Sequence, residues 1–227
     1  MKRDLHPIRD GSVPGCSARD RIKTGSENSK GSPVSGHPEK GYRMAFNFNS
    51  ALFRVLVNTL RPGEKERVLD LGCSRGYYVR AMEAYTTDVV GVDISDDSLR
   101  NAVTSCVKYG DITRLDFPDG SFDKAYSLHT IEHLPDLEGF FTEVGRVLKP
   151  GGTAVVVYPW EPFRGMQAIV AAMRQYRNPV RARSIHLHRL TPGKIRDIIV
   201  GSGLVHIESR LVFAMGLQYM TVLKKDG

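Results

Sequence analysis

The chain has 227 residues, 41% of them hydrophobic, which is enough for one sizeable core, and its formal net charge is +7. Its three cysteines, Cys16, Cys73 and Cys106, are too widely spaced for a Cys-x-x-Cys zinc pair or a disulfide framework. No run approaches the roughly 18 apolar residues of a membrane helix, so we expect no integral membrane segment and a reducing, cytoplasmic location.

Residues 1–43 differ in composition from the rest of the chain. They are rich in Gly, Ser and Pro and nearly devoid of large apolar side chains from residue 25 onward. Such a segment cannot bury enough apolar surface to offset the entropy lost on ordering. We therefore predict a disordered or mobile N-terminal arm over 1–43 and a single domain over 44–227.

The first regular elements are predicted to be a helix and then a buried strand. Leu52, Leu56 and Leu60 recur every four residues, and Pro62-Gly63 ends that pattern. The apolar run that starts at Val68 predicts a strand that breaks into a loop of small residues.

That loop can be compared with three nucleotide-type templates. The phosphate loop fails because Tyr77 stands five places after Gly72, where the template needs glycine. The dinucleotide fingerprint lacks two of its three glycines, and the Tyr77 ring would push the helix away from the strand. The remaining template is acidic-x-Gly-x-Gly-x-Gly, which Asp70, Gly72 and Gly76 satisfy, with Ser74 at the middle glycine.

This pattern resembles the class I S-adenosylmethionine-dependent methyltransferases. The resemblance implies that S-adenosylmethionine is the cofactor and that Asp70 lies near its ammonium group. It also implies that the loop backbone approaches the methionine portion of the cofactor at Gly72, Cys73, Ser74 and Gly76. One carboxylate and several backbone groups suit a zwitterionic amino acid. Small residues also suit any strand-to-helix turn, so the later segments must support this interpretation.

The segment DVVGVD predicts a second strand that ends at Asp93, with Ser95 as the cap of a following helix. A carboxylate at this strand end can accept from both ribose hydroxyls of an adenosine, although an Asp there can also serve as a simple turn residue. The resemblance implies that Asp93 and its neighbour Ile94 contact the cofactor.

The segment from residue 109 to 160 resembles the small-molecule branch of the family, which is ubiquinone- or menaquinone-biosynthesis-like, in its GD, FPDGSFD, EHL and RVLKPGG motifs. By that resemblance Asp111 faces the adenine amino group, the Ile112 amide lies beside it, and Leu128 borders the same site.

The same segment predicts a strand, a helix and another strand. FDKAYSLH is the first strand, and Asp136 opens a helix whose apolar positions include Leu148 and which Gly151-Gly152 ends. TAVVVY is then a buried parallel strand. Helices and strands alternate, so we predict an α/β fold with a doubly wound, mostly parallel sheet. The resemblance implies seven strands, a Rossmann-like order and an antiparallel C-terminal edge strand.

Residues 161–190 are predicted to form a basic, lid-like insertion. Met166, Ile169, Val170 and Met173 share a helical face, which is usually packed in a core but could instead contact the acceptor. From residue 164 to 196 there are eight Lys or Arg and no acidic residue. This charge favours an acceptor with a carboxylate or phosphate, or an acidic surface such as RNA or membrane, and ordinary solvated charge is an equal alternative. A further helix capped by Thr191 and two strands then end the chain.

The motif HTIEH, from His129 to His133, matches the inverted zinc-protease signature. We reject a hydrolase because His129 ends a strand and Pro135 follows closely, so no long helix holds both histidines. We assign no metal, although some ubiquinone-type relatives carry Glu-x-x-Glu-His here. His129 and His133 are candidate catalytic bases, with His186 and His188, which alternate as on a strand, in second rank. Each could instead be a hydrogen-bonded structural histidine.

We therefore predict S-adenosylmethionine-dependent methyl transfer to a small anionic molecule. Such a reaction needs an acceptor held in line with the sulfonium methyl and water kept out. Two alternatives are an RNA methyltransferase, which is weaker because Tyr176 is the only aromatic in the basic segment, and a binding protein without turnover. The acceptor atom and the oligomeric state are left open.

Overall fold

The computed structural model describes residues 48–214 and 216–227, so the predicted arm and the start of the predicted domain at residue 44 lie outside the described residues. The strands are β1 (Arg67–Leu71), β2 (Asp88–Asp93), β3 (Val107–Tyr109), β4 (Phe122–Leu128), β5 (Leu148–Pro159), β6 (Leu204–Phe213) and β7 (Leu217–Lys225). The helices are α1 (Ser50–Leu60), α2 (Tyr77–Met82), α3 (Asp96–Arg100), α4 (Leu137–Val147), α5 (Ile169–Tyr176), α6 (Ala182–Ile185) and α7 (Pro192–Ile198). Short 3₁₀ turns cover Ile131–His133, Met166–Ala168 and Pro179–Arg181.

The seven strands form one sheet in the order β3-β2-β1-β4-β5-β7-β6. Strands β1 to β5 are parallel to their neighbours, whereas β7 is antiparallel to both β5 and β6. The predicted α/β class, the seven strands and the antiparallel C-terminal end are confirmed. Strands β1 to β3 are added toward one edge of the sheet and β4 and β5 toward the other, so the strand order reverses between β1 and β4. Ligands of such sheets bind at this point, at the carboxyl ends of the strands.

Helix starts follow the capping residues of the sequence. Asn49 Oδ1 accepts from the amides of Ala51 and Leu52 at 3.0 Å, and the following helix α1 buries leucines at four-residue spacing. Thr191 caps α7 by accepting from the Lys194 amide, as predicted.

Two local predictions are wrong. Leu148 has extended dihedrals and begins β5, so α4 ends at Val147, before Gly151-Gly152, which lie inside the strand. His186 and His188 do not lie on a strand, because His186 is the C-cap of α6 and each ring bonds a different part of the fold.

The predicted apolar face of α5 is real but lies on the outside of the molecule. Val170 and Met173 are 62% and 47% exposed, whereas Ala171 and Ala172 are buried against α6. The small alanines allow the two short helices to approach closely, and the larger side chains are left on the solvent side. The expectation that these residues are core is therefore wrong. Within the described ranges, none of the helices has the length and apolarity to cross a membrane.

Candidate cofactor and catalytic site

The loop between β1 and α2 has a backbone that ordinary residues rarely adopt. Gly72, Ser74 and Gly76 have φ angles of +84°, +49° and +74°. The left-handed region is open to glycine but costs other L-residues energy because Cβ approaches backbone oxygen. The acidic-x-Gly-x-Gly-x-Gly template therefore has a geometric basis, and Ser74 adopts the strained conformation that its middle glycine would accept freely.

The loop is fastened to the neighbouring strand β2. The amides of Gly72 and Cys73 both donate to the Val92 carbonyl, at 2.8 and 3.1 Å. The Ser74 amide donates to Oδ2 of Asp93 at 2.7 Å. Two predicted cofactor residues from separate segments are thus in direct contact.

The Asp93 carboxylate lies half-buried at the end of β2. Its Oδ1 accepts from the Ser95 amide at 2.8 Å. Burial raises the pKa of Asp93, while the amides of Ser95 and Ser74 oppose that rise. Each carboxylate oxygen can accept more than one hydrogen bond, so Asp93 keeps acceptor capacity for a hydroxyl-bearing ligand.

Asp70 lies deep in the sheet, with only 3% of its surface exposed. It is in register with Gly91 of β2 on one side and Tyr126 of β4 on the other. Burial raises its pKa to about 8, the Tyr126 hydroxyl lowers it, and the charge of Asp93 raises it further. A carboxyl group removed from water in this way gains strongly from a bound cation, and the ammonium of an amino acid is such a cation.

Two residues that sequence reasoning missed shape the loop. A Cβ added to Gly91 would lie 2.6 Å from Cβ of Cys73, so glycine in β2 allows the loop to pack on the strand. A Cβ added to Gly72 would lie 2.3 Å from Oγ1 of Thr130, which covers the loop from the end of β4. Gly91 lies inside an apolar run and Thr130 inside the HTIEH motif. Sequence patterns did not indicate either residue, because its position beside the loop depends on contacts between residues distant in the chain.

The other predicted cofactor residues lie at neighbouring strand ends. Asp111 follows β3, and its Oδ1 accepts from the Thr113 amide at 2.8 Å and from the Thr113 hydroxyl at 2.7 Å. Ile112 is buried beside it, Ile94 is 38% exposed after β2, and Leu128 is half-buried at the end of β4.

His129 has an unusual backbone and lies between two acceptors. Its φ is +53°. Its Nε2 lies 2.5 Å from Oε1 of Gln218, whose amide nitrogen donates to the Ala214 carbonyl, and its Nδ1 lies 3.6 Å from the Glu132 carboxylate. Both ring nitrogens of His129 therefore face side-chain acceptors, and Gln218 is the one at hydrogen-bond distance.

His133 has a different environment. Its Nδ1 lies 2.8 Å from the Ile185 carbonyl, so in the neutral ring the proton lies on Nδ1, and Nε2 carries the lone pair. That Nε2 lies 4.0 Å from the Glu132 carboxylate, which could stabilise an added proton. Both predicted bases therefore have Glu132 on one side of the ring, and His133 differs in that its other nitrogen contacts a main-chain carbonyl.

Glu132, His133 and His186 bring together three side chains that can bind a metal, with one donor atom of each within 4.8 Å of the others. Burial raises the pKa of Glu132, but the contact with His129 and the nearby His133 outweigh it, so the pKa lies below its usual value. In the described parts of the chain its Oε2 has no hydrogen-bond partner. His186 Nδ1 is fixed by Glu161 Oε1 at 2.9 Å, which leaves Nε2 toward this cluster.

This donor set could hold a divalent metal, but it is not the set of the inverted zinc-protease motif. That motif needs His129 and His133 on one long helix, whereas here Ile131–His133 is a three-residue 3₁₀ turn and the His129 ring contacts Gln218. The expectation that no metal takes part stays a prediction.

Comparison with known proteins places this site in context. Residues 69–156 match the family model described as "Methyltransferase domain". A sterol 24-C-methyltransferase from Aspergillus fumigatus is 39% identical over 117 residues, which cover 46% of this chain and 30% of that protein. The 2-methyl-6-phytyl-1,4-hydroquinone methyltransferase of Synechocystis sp. is 39% identical over 108 residues, covering 44% and 33%. The chain thus spans about a third of the length of the curated relatives it matches.

Solved structures show the same fold. The YcgJ protein from Bacillus subtilis has a TM-score of 0.61 at 17% identity, covering 77% of this chain and 97% of that one. An S-adenosylmethionine-dependent methyltransferase from Mesorhizobium loti has a TM-score of 0.59 at 19% identity, covering 77% and 96%. The matched residues 69–156 contain the glycine loop, Asp93 and Asp111, so this part of the chain is similar in sequence to a methyltransferase domain, and the chain is similar in fold to an S-adenosylmethionine-dependent methyltransferase.

Proposed function

We propose that this chain transfers a methyl group from S-adenosylmethionine to a small molecule. The observation that carries the proposal is the joined arrangement of Asp70, the loop and Asp93 at the carboxyl ends of β1 and β2. S-adenosylmethionine supplies a methyl group already activated on a sulfonium. The protein then has to bind the cofactor, orient the acceptor and keep water away.

Each of the proposed cofactor residues would bind a chemically different part of S-adenosylmethionine. The buried Asp70 carboxylate would pair with the ammonium group, and the glycine loop would allow backbone to approach the amino-acid portion. Asp93 would accept from the ribose hydroxyls. Asp111 with the Ile112 amide would face the adenine, and Ile94 and Leu128 would lie along its apolar surfaces.

His133 is the residue that we propose as general base for an acceptor that must lose a proton. The Ile185 carbonyl fixes the proton on Nδ1, and the Glu132 carboxylate lies on the side where the new positive charge would form. His129, between Gln218 and Glu132, would position Glu132 and the end of β4 rather than accept a proton.

The acceptor we propose is an amphiphile with an anionic group. Two relatives are named for a sterol and for a hydroquinone with a phytyl group, which are small and mostly apolar molecules. The insertion beside the His133 cluster adds six arginines and no acid from residue 162 to 190, which suits a carboxylate or phosphate. RNA fits less well, because this segment offers one aromatic after Phe163 for base stacking, Tyr176.

The test is formation of S-adenosylhomocysteine with a panel of acceptors: a sterol and a hydroquinone, each with and without a carboxylate, and a single-stranded RNA. We expect turnover with an amphiphile and its loss in Asp93→Ala, whereas Asp97→Ala, an exposed acid in the first turn of α3, retains it. Turnover with RNA alone would favour the RNA alternative. Cofactor binding without turnover on any acceptor would favour the binding-protein alternative.

A further inference from the structure

The insertion presents its large apolar side chains to solvent. Phe163, Val170 and Val180 are 73%, 62% and 76% exposed, and Ile169 and Met173 lie beside Val170 on the same helix. Single exposed apolar residues are common, but a contiguous set of this size is typical of a binding surface. We call this set, with Met166, the apolar face.

An open groove runs through the apolar face. Its volume is about 480 Å³, and Phe163, Met166, Ile169 and Val180 line it together with Arg164 and Arg183. Cationic and apolar side chains thus line the same groove.

The charges around this groove have one sign. Arg174, Arg177, Arg181 and Arg189 are exposed along the same insertion, and no acidic residue occurs from 162 to 196. Across the part of the chain that the structure describes, none of these arginines forms an ion pair with a carboxylate. A surface that combines exposed arginines with exposed apolar side chains matches an anionic lipid interface, which offers negative headgroups above hydrocarbon.

The insertion is anchored firmly beneath this surface. Glu161 accepts from the amides of Gly165 and Gln167 at 2.9 and 2.7 Å and contacts His186 at 2.9 Å. Arg164, which lines the groove, donates to the Leu187 carbonyl at 3.2 Å. These hydrogen bonds hold the segment that carries the apolar face against the rest of the domain.

We propose that the apolar face docks on a membrane surface that contains anionic lipid, as a peripheral contact. The geometry favours a bilayer over RNA, because exposed aliphatic side chains contribute nothing to phosphate contacts and the groove has no stack of aromatic rings. It favours a bilayer over a second copy of the chain, because the positive charges on two copies of this surface would repel each other. Docking would hold the His133 cluster, which contacts the insertion through Ile185, close to the headgroups.

The experiment is co-sedimentation of the full chain with vesicles of phosphatidylcholine, alone or mixed with an equal share of phosphatidylglycerol. We expect binding to the mixed vesicles that weakens as salt rises, and about tenfold or more weaker binding without the anionic lipid. Val170→Ser with Val180→Ser should abolish most of it, and Arg181→Gln with Arg183→Gln should weaken it about tenfold. The matched control is Val200→Ser, since Val200 is 81% exposed outside the insertion.

Hydrogen exchange gives a second measurement that needs no variant. Amides from residue 163 to 183 should gain protection on addition of mixed vesicles, and those of α1 should not. The proposal is overturned if the wild-type chain does not bind the mixed vesicles, or if the double serine variant and the double glutamine variant both bind them as tightly as wild type does. It is also overturned if the serine substitutions instead cause a dimer to dissociate, or if single-stranded RNA binds the apolar face and prevents vesicle binding.

Discussion

The Ser74 amide donates to the Asp93 carboxylate at 2.7 Å, which joins the loop after the first strand to the end of the second. The same carboxylate also accepts from the Ser95 amide. Asp93 therefore fixes the loop conformation and, in our proposal, holds the ribose of the cofactor. Both roles depend on its negative charge, because charged acceptors form the stronger hydrogen bonds.

The first prediction concerns that charge. Asp93→Asn keeps the shape but replaces one charged acceptor oxygen by an NH₂ group, so we expect the affinity for S-adenosylmethionine to fall by about 1.5–3 kcal/mol. Isothermal titration calorimetry measures it. Asp97→Asn is the control, and equal affinity of the Asp93 variant and wild type would show that Asp93 is only a turn residue.

Gly91 is the subject of the second prediction. Gly91→Ala places a Cβ 2.6 Å from Cβ of Cys73, and we expect the free energy of unfolding to fall by about 1–3 kcal/mol as the loop is displaced. Urea denaturation tests this. Gly193→Ala, in the first turn of α7 with its nearest neighbour at 3.9 Å, should be neutral or stabilising. A Gly91 variant as stable as wild type would contradict the close packing of loop and strand.

The third prediction is a pH dependence of stability. The pKa of Asp70 is about 8 in the folded chain and 3.8 without burial, so the folded state binds the extra proton. The free energy of unfolding then falls as pH rises from about 4 to about 8, by at most about 1.4 kcal/mol for each pH unit. Asp70→Asn removes this loss, so its thermal midpoint relative to wild type should rise between pH 5 and pH 8. Asp116→Asn, at a fully exposed acid, should show no such change.

The anchor of the insertion gives the fourth prediction. Glu161 is buried, and although burial raises its pKa, the His186 contact and two amides hold that pKa below its usual value. Glu161→Gln weakens three contacts, so trypsin should cleave faster at the arginines from 164 to 189. Glu138→Gln, an exposed acid in α4, should leave the cleavage rate unchanged. Unchanged cleavage in the Glu161 variant would mean that the anchor lies elsewhere.

The fifth prediction is that chelation of divalent metals leaves the affinity for S-adenosylmethionine unchanged. The proposed cofactor residues and the Glu132, His133 and His186 cluster share no side chain. Calorimetry before and after dialysis against a chelator measures this. A drop in affinity that returns with added metal would show that the two sites are coupled.

Sequence patterns predicted the sheet and the cofactor loop because those features are local. The small residues from Gly72 to Gly76 are needed by the backbone at those positions, and the ends of β1 and β2 follow from apolar runs that stop at Asp70 and Asp93. Because β1 and β2 are parallel, their carboxyl ends lie at the same edge of the sheet, and the loop and Asp93 lie there together.

What the sequence could not show depends on contacts distant in the chain. Periodicity placed Ile169, Val170 and Met173 on one face, but only the packing of small alanines against α6 decides that this face points outward. The contact of His186 with Glu161 likewise joins residues 25 apart, which no motif indicates. The hydrogen-bond partners of His129 and His133 also lie 52 or more residues away in the chain.

Calorimetric titration of the wild-type chain with S-adenosylmethionine, and with NADH as the control ligand, tests the central claim most directly. We expect S-adenosylmethionine to bind at one site and NADH not to bind, because the loop lacks the glycines that pyrophosphate needs and Asp70 offers a carboxylate to an ammonium. The absence of S-adenosylmethionine binding, or an equal affinity for NADH, would contradict it and would leave the loop as a packing turn.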